Sequence, residues 1–525
     1  MTQAPSSTTR NVLFIMADQL RADYLSCYGG PVPTPNLDRL AAGGARFTRA
    51  FVNAGVCGPS RVSFYTGRYP LTHRVSWNRV PMPCDELTLG HYLADAGRPL
   101  HLLGKTHFVP DNTARLLRLV SDPVELGLYN QGGFTPVERY DGHFEPGPQS
   151  PYHQYLIRHG YQSEKPWTDF VIGSSEADGS LASGWLLRNA HLPARVAAEH
   201  SETAYLTTRA IDYMREQSDT PWALHLSYIK PHWPFKAPAP YHALFGPGDA
   251  PALNRGRAER ERPHPVHAAY QQLEESQTFA NREVVDSIRP VYMGLIKQLD
   301  DELGRLFQHM QDSGRMDDTL IIFTADHGDL SGDHWLGEKE YFFEPVMHVP
   351  LLIRDPAPAA RARAGRVVTQ MAESVDVVPT ILEALGLPSQ DHRVEGRSLL
   401  ALTREDEPGP WRDRVYGQLD YAYREARTFL GRGPHECNGM MVREDRYKLI
   451  WWEGFASQLF DLQEDPLEQH DLGSDPAQAQ RIRAMSAQLF EWLVERRRRA
   501  TETTAQVENR THAHERMMGI FIGRW

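Results

Sequence analysis

At 525 residues, with 41% hydrophobic and 23% charged side chains, the chain has an ordinary globular composition and exceeds the size at which one core keeps growing, so two domains are expected. Its formal net charge of −11 (56 basic against 67 acidic residues) argues against a nucleic-acid partner, and no apolar run is long enough to span a bilayer. Four cysteines, Cys27, Cys57, Cys84 and Cys437, match neither a disulfide framework nor a zinc spacing, which fits a reducing, cytoplasmic setting.

The polar start gives way to Asn11–Ala17, a nearly continuous apolar run that reads as a strand buried on both faces of a parallel sheet, ending in Asp18-Gln19. Thr34-Pro35 has the form of an N-cap and first helical residue for a helix to about Ala42. Cys57-Gly58-Pro59-Ser60-Arg61 opens another helix, closed by Thr66-Gly67-Arg68, so Cys57 faces unpaired N–H groups and the positive end of a helix dipole, a setting for an anion. Leu87–Ala96 reads as a helix stopped by Gly97, and Leu100–Leu103 as a strand running into Gly104-Lys105-Thr106-His107. From Pro110 to about Pro193 periodicity is weak, as expected of an insertion covering a site. Ser201 caps a helix to about Gln217, and Trp222–Tyr228 is a strand leading to Lys230-Pro231-His232-Trp233-Pro234-Phe235. A second irregular stretch, Pro238 to about Ala280, precedes an amphipathic helix with Tyr292, Ile296, Leu299, Leu303, Leu306 and Met310 on one stripe. Thr319–Ala325 is another buried strand, ending in Asp326-His327-Gly328-Asp329; Val349–Ile353 and a helix from Asp376 to Leu385 follow.

This alternation predicts a doubly wound α/β domain with a mostly parallel sheet over residues 1–402. Short strands at Val415–Leu419, Gly439–Arg443, Tyr447–Trp451 and Gln458–Asp461, then a helix from Pro476 to Arg498, predict a smaller α+β unit over 403–500. The basic run Arg496–Arg499 suits a helix C-terminus. The tail, 501–525, ends in the apolar Met517–Trp525, expected to dock on this chain or on another subunit.

Asp18-Gln19, Gly104–His107, Lys230–Phe235 and Asp326-His327 each follow a predicted strand, and in an open parallel sheet such segments converge on the ligand crevice. Taken singly each has a bland reading: an Asp after a strand is ordinarily a turn residue, and a cysteine before a helix is ordinarily structural. The motifs in combination carry more. Cys57-x-Pro-Ser-Arg61 with the trailing Thr-Gly-Arg resembles the sulfatase signature, with Tyr65 where an aliphatic residue is usual. The order Asp18, Cys57–Arg61, Gly104-Lys105-x-His107, His232, Asp326-His327-Gly328 and Lys339 resembles the sulfatase branch of the alkaline phosphatase superfamily. Val291–Pro350 is more narrowly similar to the arylsulfatase and phosphonate monoester hydrolase subgroup, in which Asp-Gln and Asp-His replace the usual Asp-Asp and Asp-Asn. Tyr447–Leu449 and Leu459–Leu462 match that family's C-terminal antiparallel sheet.

The resemblance implies that a maturation enzyme converts Cys57 to formylglycine. Asp18, Asp326, His327 and the modified Cys57 would bind one divalent cation, with Gln19 at a further ligand position. A mostly oxygen site with one imidazole suits calcium, with manganese as the alternative. Arg61 would fix the nucleophile, Lys105 and Lys339 would neutralise the substrate anion, and His232, alone or with Lys339, would protonate the departing alcohol. His107 would then drive collapse of the covalent sulfo-enzyme. Asn78 stands where the subgroup has a substrate-contacting amide, though a turn residue fits equally. The function so implied is hydrolysis of small sulfate monoesters by a homodimer or homotetramer. The alternatives are a phosphonate monoester or phosphodiester hydrolase, and a non-catalytic metal- or anion-binding relative in which Cys57 stays a thiol. Phosphonate monoester hydrolases carry Tyr and Thr where this chain has Lys105 and His107, which favours sulfate.

Overall fold

The computed structural model describes residues 9–511 apart from 112, 114–122, 177, 389 and 497–499. Its centre is an eight-stranded sheet. In chain order the strands are β1 (Asn11–Asp18), β2 (Ala45–Phe47), β3 (Leu100–Gly104), β4 (Thr135–Arg139), β5 (Ala223–Pro231), β6 (Thr319–Ala325), β7 (Leu351–Arg354) and β8 (Arg366–Val368). Their spatial order is β8-β2-β7-β6-β1-β5-β3-β4, and β7 alone runs against its neighbours. Every residue of β1 is buried, because β5 and β6 flank it and helices cover both faces. His225 and Ser227 of β5 face helix α1 (Cys57–Thr66), where Phe14 also meets Phe64. Tyr228 faces the other way and bonds Thr207 on α2 (Glu202–Glu216) at 2.8 Å. Helix α3 (Arg282–Asp312) packs along α2 on that face. The architecture is the expected doubly wound α/β core.

Differences from the sequence reading have local causes. β4 lies in the stretch read as an insertion; Thr-Pro-Val-Glu-Arg shows no apolar alternation, and an outer strand tolerates both the proline and the charges. Residues 238–280 hold three short helices, Ala258–Glu261, Pro265–Gln271 and Glu274–Ala280, each too brief to display a 3.6-residue period. Helix α3 begins ten residues before the apolar stripe, capped by Asn281 and running through Pro290, a residue that reads as a boundary. Thr34 does not cap its helix; the first-turn N–H groups of Asn36 and Leu37, which have no partner within the helix, donate instead to Asp300 of α3, at 3.1 and 2.9 Å.

A four-stranded antiparallel sheet follows: β9 (Val415–Asp420), β10 (Asn438–Arg443), β11 (Tyr447–Trp452) and β12 (Gln458–Asp461), in that order. Helix α4 (Ala479–Val494) packs on β10 and β11. The wholly buried Lys448 ties this sheet to the core, donating to the Phe342 carbonyl and pairing with Glu344 and Glu468 at 2.8 and 2.6 Å. The apolar segment Met517–Trp525 and most of the basic run 496–499 lie outside the described residues. Among the described residues, no helix is long and apolar enough to cross a membrane.

One buried histidine makes stability pH-dependent. His73 is fully buried between Ser63 Oγ (3.1 Å) and the Val75 N–H, which donates to its Nδ1 at 3.1 Å. Burial, and then Arg68, depress its pKa from 6.5 to about 3. Below about pH 6.5 the unfolded chain therefore binds a proton that the folded one refuses. This contribution to stability is lost as pH falls from there toward 3, at about 1.4 kcal/mol per pH unit. His73→Gln should remove that component of the slope in urea unfolding between pH 6.5 and 5; an unchanged slope contradicts it.

Candidate active site

The carboxyl ends of four adjacent strands, β6-β1-β5-β3, bring the chemistry-bearing residues together. β1 ends in Asp18-Gln19, β6 runs into Asp326-His327, β5 into His232, and β3 into Lys105–His107. Helix α1 points its first turn at the same place, with Cys57 as its first residue. Asn78 supplies the missing cap: its Oδ1 accepts from the Gly58 N–H at 2.7 Å, so the oxygen is committed to α1 while the residue lines the cavity.

Arg61, wholly buried one turn into α1, organises the floor. Its Nε donates to Asp326 Oδ2 at 2.7 Å and Nη2 to Asp18 Oδ2 at 3.1 Å, while Nη1 reaches the Lys105 carbonyl and Ser227 Oγ. Lys105 Nζ also pairs with Asp18 Oδ2. Each carboxylate thus spends one oxygen on cations and turns the other inward. Asp18 Oδ1 lies 3.8 Å from His327 Nε2 and 3.9 Å from Cys57 Sγ; Asp326 Oδ1 lies 3.7 Å from His327 Nε2. Cys57 Sγ is 3.1 Å from the same nitrogen.

These four inward atoms lie within 4.8 Å of one another and could hold a metal ion. The donor set fits: two hard carboxylate oxygens, one imidazole, and Sγ, which marks where an oxygen of a hydrated aldehyde would be carried. His327 Nδ1 is 2.8 Å from the Gly328 carbonyl, which fixes a proton there and leaves Nε2 as the lone-pair atom. Gln19 sits differently. Its Nε2 donates to Asp329 and its Oε1 accepts from Lys339 Nζ at 3.1 Å, so the side chain holds Lys339 in place.

The electrostatics are those of an anion site. Burial would raise the Asp18 carboxyl, but Lys105, His232 and Arg61 hold it well below the usual carboxylate range. Burial also opposes ionisation of Cys57, yet Lys105, Lys339 and His327 pull its pKa well below that of a free thiol. Lys339 Nζ lies 2.9 Å from His232 Nε2. Burial, then Lys339, depress His232 to about 3, while Lys339, despite burial, is raised by Cys57, Glu338 and Asp18.

A cavity of about 810 Å³ opens above this floor, with Cys57, Asn78, His107, His232 and Lys339 in its wall. The sequence reading missed several of its residues. His143 Nε2 is 2.6 Å from Lys105 Nζ, and its ring stands 4.7 Å from that of His232. Asp141 accepts from the N–H groups of Thr106 and His107 and pairs with Arg139, fixing the loop after β3. Tyr423 and Arg424 arrive from beyond β9, Tyr423 stacked on Trp77 at 5.8 Å. No motif marks these residues; for Asp141 and His143 the one signal was the length of the stretch after Pro110, and Tyr423 and Arg424 had none.

An open, mostly parallel sheet with two carboxylates, an imidazole, a cysteine and two lysines at its carboxyl edge is the arrangement of an alkaline phosphatase superfamily hydrolase. More narrowly, the chain belongs to the sulfatase family, whose model matches residues 10–387; the model for the C-terminal region of N-sulphoglucosamine sulphohydrolase matches 332–495. The chain is 33% identical over 508 residues to the multifunctional alkaline phosphatase superfamily protein PehA of Trinickia caryophylli, covering 92% of this chain and 95% of that one. It is 25% identical over 498 residues to an arylsulfatase of Clostridium perfringens, covering 90% and 92% respectively. Among solved structures it resembles the phosphonate monoester hydrolase SpPMH of Silicibacter pomeroyi, with TM-score 0.81, 30% identity, and coverage of 93% of this chain and 96% of that one.

Proposed function

We propose that the protein is a formylglycine-dependent hydrolase of sulfate monoesters, with Cys57 as the residue that matures. The observation that carries this reading is the pair after β3. Lys105 supplies a cation on the floor between Asp18 and His143, and His107 lines the cavity near enough to stabilise an anion at Cys57. Sulfuryl transfer moves charge onto the departing oxygen, so fixed cations favour it, and an imidazole is a competent base where threonine is a poor one.

A bound divalent cation, calcium before manganese, would polarise the ester and lower the pKa of the nucleophile. The aldehyde hydrate supplies an oxygen nucleophile in place of the thiol. The chain's own residues do the rest. Arg61 holds Asp18 and Asp326 so that one oxygen of each faces Cys57. His232 Nδ1 is 2.6 Å from the Trp233 carbonyl, which fixes a proton there and makes Nε2 an acceptor toward Lys339. The proton bound for the departing alcohol is therefore held on Lys339 Nζ, with His232 as its positioning partner; of the two groups the family resemblance offers for this proton, Lys339 is the one that carries it. Gln19 anchors Lys339 from the other side. The reading carries with it a maturation enzyme, a cytoplasmic setting and a homo-oligomer.

The likeness to PehA and to SpPMH favours a second reading, hydrolysis of phosphonate monoesters or phosphodiesters by the same machinery. Both anions carry one charge, so the choice rests on proton placement. An aryl sulfate should be turned over with kcat/KM at least about tenfold above the phosphonate ester of the same phenol, roughly 1.4 kcal/mol in transition-state stabilisation. A preference for the phosphonate ester establishes the second reading.

A further inference from the structure

A second cavity, of about 560 Å³, adjoins the first and shares Trp185, Trp233, Glu275 and Glu338 with it. The first holds ion pairs, Arg139 with Asp141, and Arg424 with Glu275 and Glu340. Beyond the shared wall the second is lined by Leu187, Phe235, Phe279 and Val284, with Thr278 and the charged Arg188 and Glu274. Its size is that of a small-molecule pocket, commonly ~300–1,000 Å³.

Position says what would enter it. The departing oxygen of the substrate must lie near Lys339 Nζ and His232 Nε2, which stand 2.9 Å apart. The next residue, Trp233, forms the wall between the cavities, its ring 4.6 Å from that of His232 and 5.9 Å from that of Trp185. The Trp233 indole N–H is buried beside the Glu338 carboxyl, a second residue shared by both cavities, which helps hold the ring in the wall. Trp185, 45% exposed, offers an aromatic face at the same boundary. A group on the ester oxygen that extends past Trp233 thus enters the second cavity.

We infer that the second cavity is a leaving-group subsite, seating the distal apolar part of an extended aryl alcohol. This rests on the hydrolase reading above but not on the choice between sulfate and phosphonate. Phenyl and 4-biphenylyl esters test it, since the two phenols are leaving groups of similar acidity and differ by one distal ring. With the metal-loaded, matured enzyme, and with whichever ester class it turns over, the biphenylyl ester should have kcat/KM higher by at least about tenfold, the scale of burying one more ring.

Thr278→Trp, on the half-buried face of the helix Glu274–Ala280, should fill the cavity and abolish that preference while the phenyl ester stays within about twofold. Val284→Phe, on α3, is an independent second filling. Equal kcat/KM for the two esters in the unaltered enzyme, or a preference that survives both substitutions, overturns the subsite. If neither sulfate nor phosphonate esters are turned over, the hydrolase reading fails, and calorimetric binding of the free phenols decides the subsite alone. Tighter binding of 4-phenylphenol than of phenol, weakened by Thr278→Trp, supports it; equal binding overturns it.

Discussion

Replacing Asp326 with asparagine is expected to lower kcat/KM by at least about a thousandfold, roughly 4 kcal/mol, and to reduce the divalent metal retained per chain. Both oxygens of Asp326 are engaged. Oδ2 accepts from Arg61 Nε at 2.7 Å, and Oδ1 accepts from the Gln19 N–H at 3.0 Å while facing His327. In one orientation an asparagine amide presses N–H groups against the guanidinium; in the other it turns them into the donor cluster and against the Gln19 N–H. Neither leaves an anionic oxygen among Asp18, Cys57 and His327. Arg61 keeps Asp18, the Lys105 carbonyl and Ser227, so it is not stranded as a buried, unpaired charge, and the fold should persist by circular dichroism. Metal analysis of the purified variant checks the assignment, and full occupancy with wild-type turnover contradicts it.

The second large effect concerns substrate choice. Lys105→Tyr with His107→Thr removes the cation paired with Asp18 and the imidazole near Cys57 together. Sulfate-ester kcat/KM should fall by at least about a hundredfold, the usual scale for losing a positioned base or a charge-stabilising group. The phosphonate ester should lose less, so the ratio narrows or reverses. His143 would lose its lysine partner, but Asp141 still fixes the loop after β3 through backbone N–H groups, so the change remains local. Equal losses for both esters would mean that Lys105 and His107 do not discriminate, and that the metal-side pattern of Asp18-Gln19 and Asp326-His327 is the better guide to substrate.

The parts of the molecule legible in the sequence are those in which one physical requirement dominates a short stretch. β1 and β6 are buried on both faces, so their residues are almost uniformly apolar, and the polar residue that follows each is conspicuous. The rule that ligands gather at strand carboxyl ends then carries Asp18, Lys105, His232 and Asp326 to one place. Lys339 came only through family resemblance, since it follows no strand and its neighbour Glu340 sits at a backbone φ of 84°, a conformation no local pattern announces.

His143 and Asp141 lie just after an edge strand whose proline and charges hide it. Their importance arises from tertiary contacts with Lys105 and with the backbone of residues 106 and 107. The Asp300 cap on the helix beginning at Pro35 bridges 264 residues of sequence, beyond the reach of any window-based signal. Gln19 shows the converse limit: the motif marks its position, but only the fold reveals that its amide serves Lys339 and Asp329.

Every step of the proposed reaction requires Cys57 to become the nucleophile. Mass spectrometry of the tryptic peptide from Ala50 to Arg61, taken from protein made alongside a formylglycine-generating enzyme, tests this most directly. The expected result is the aldehyde in place of the thiol, with activity rising in proportion to the converted fraction. A peptide that stays entirely thiol in a fully active preparation contradicts it.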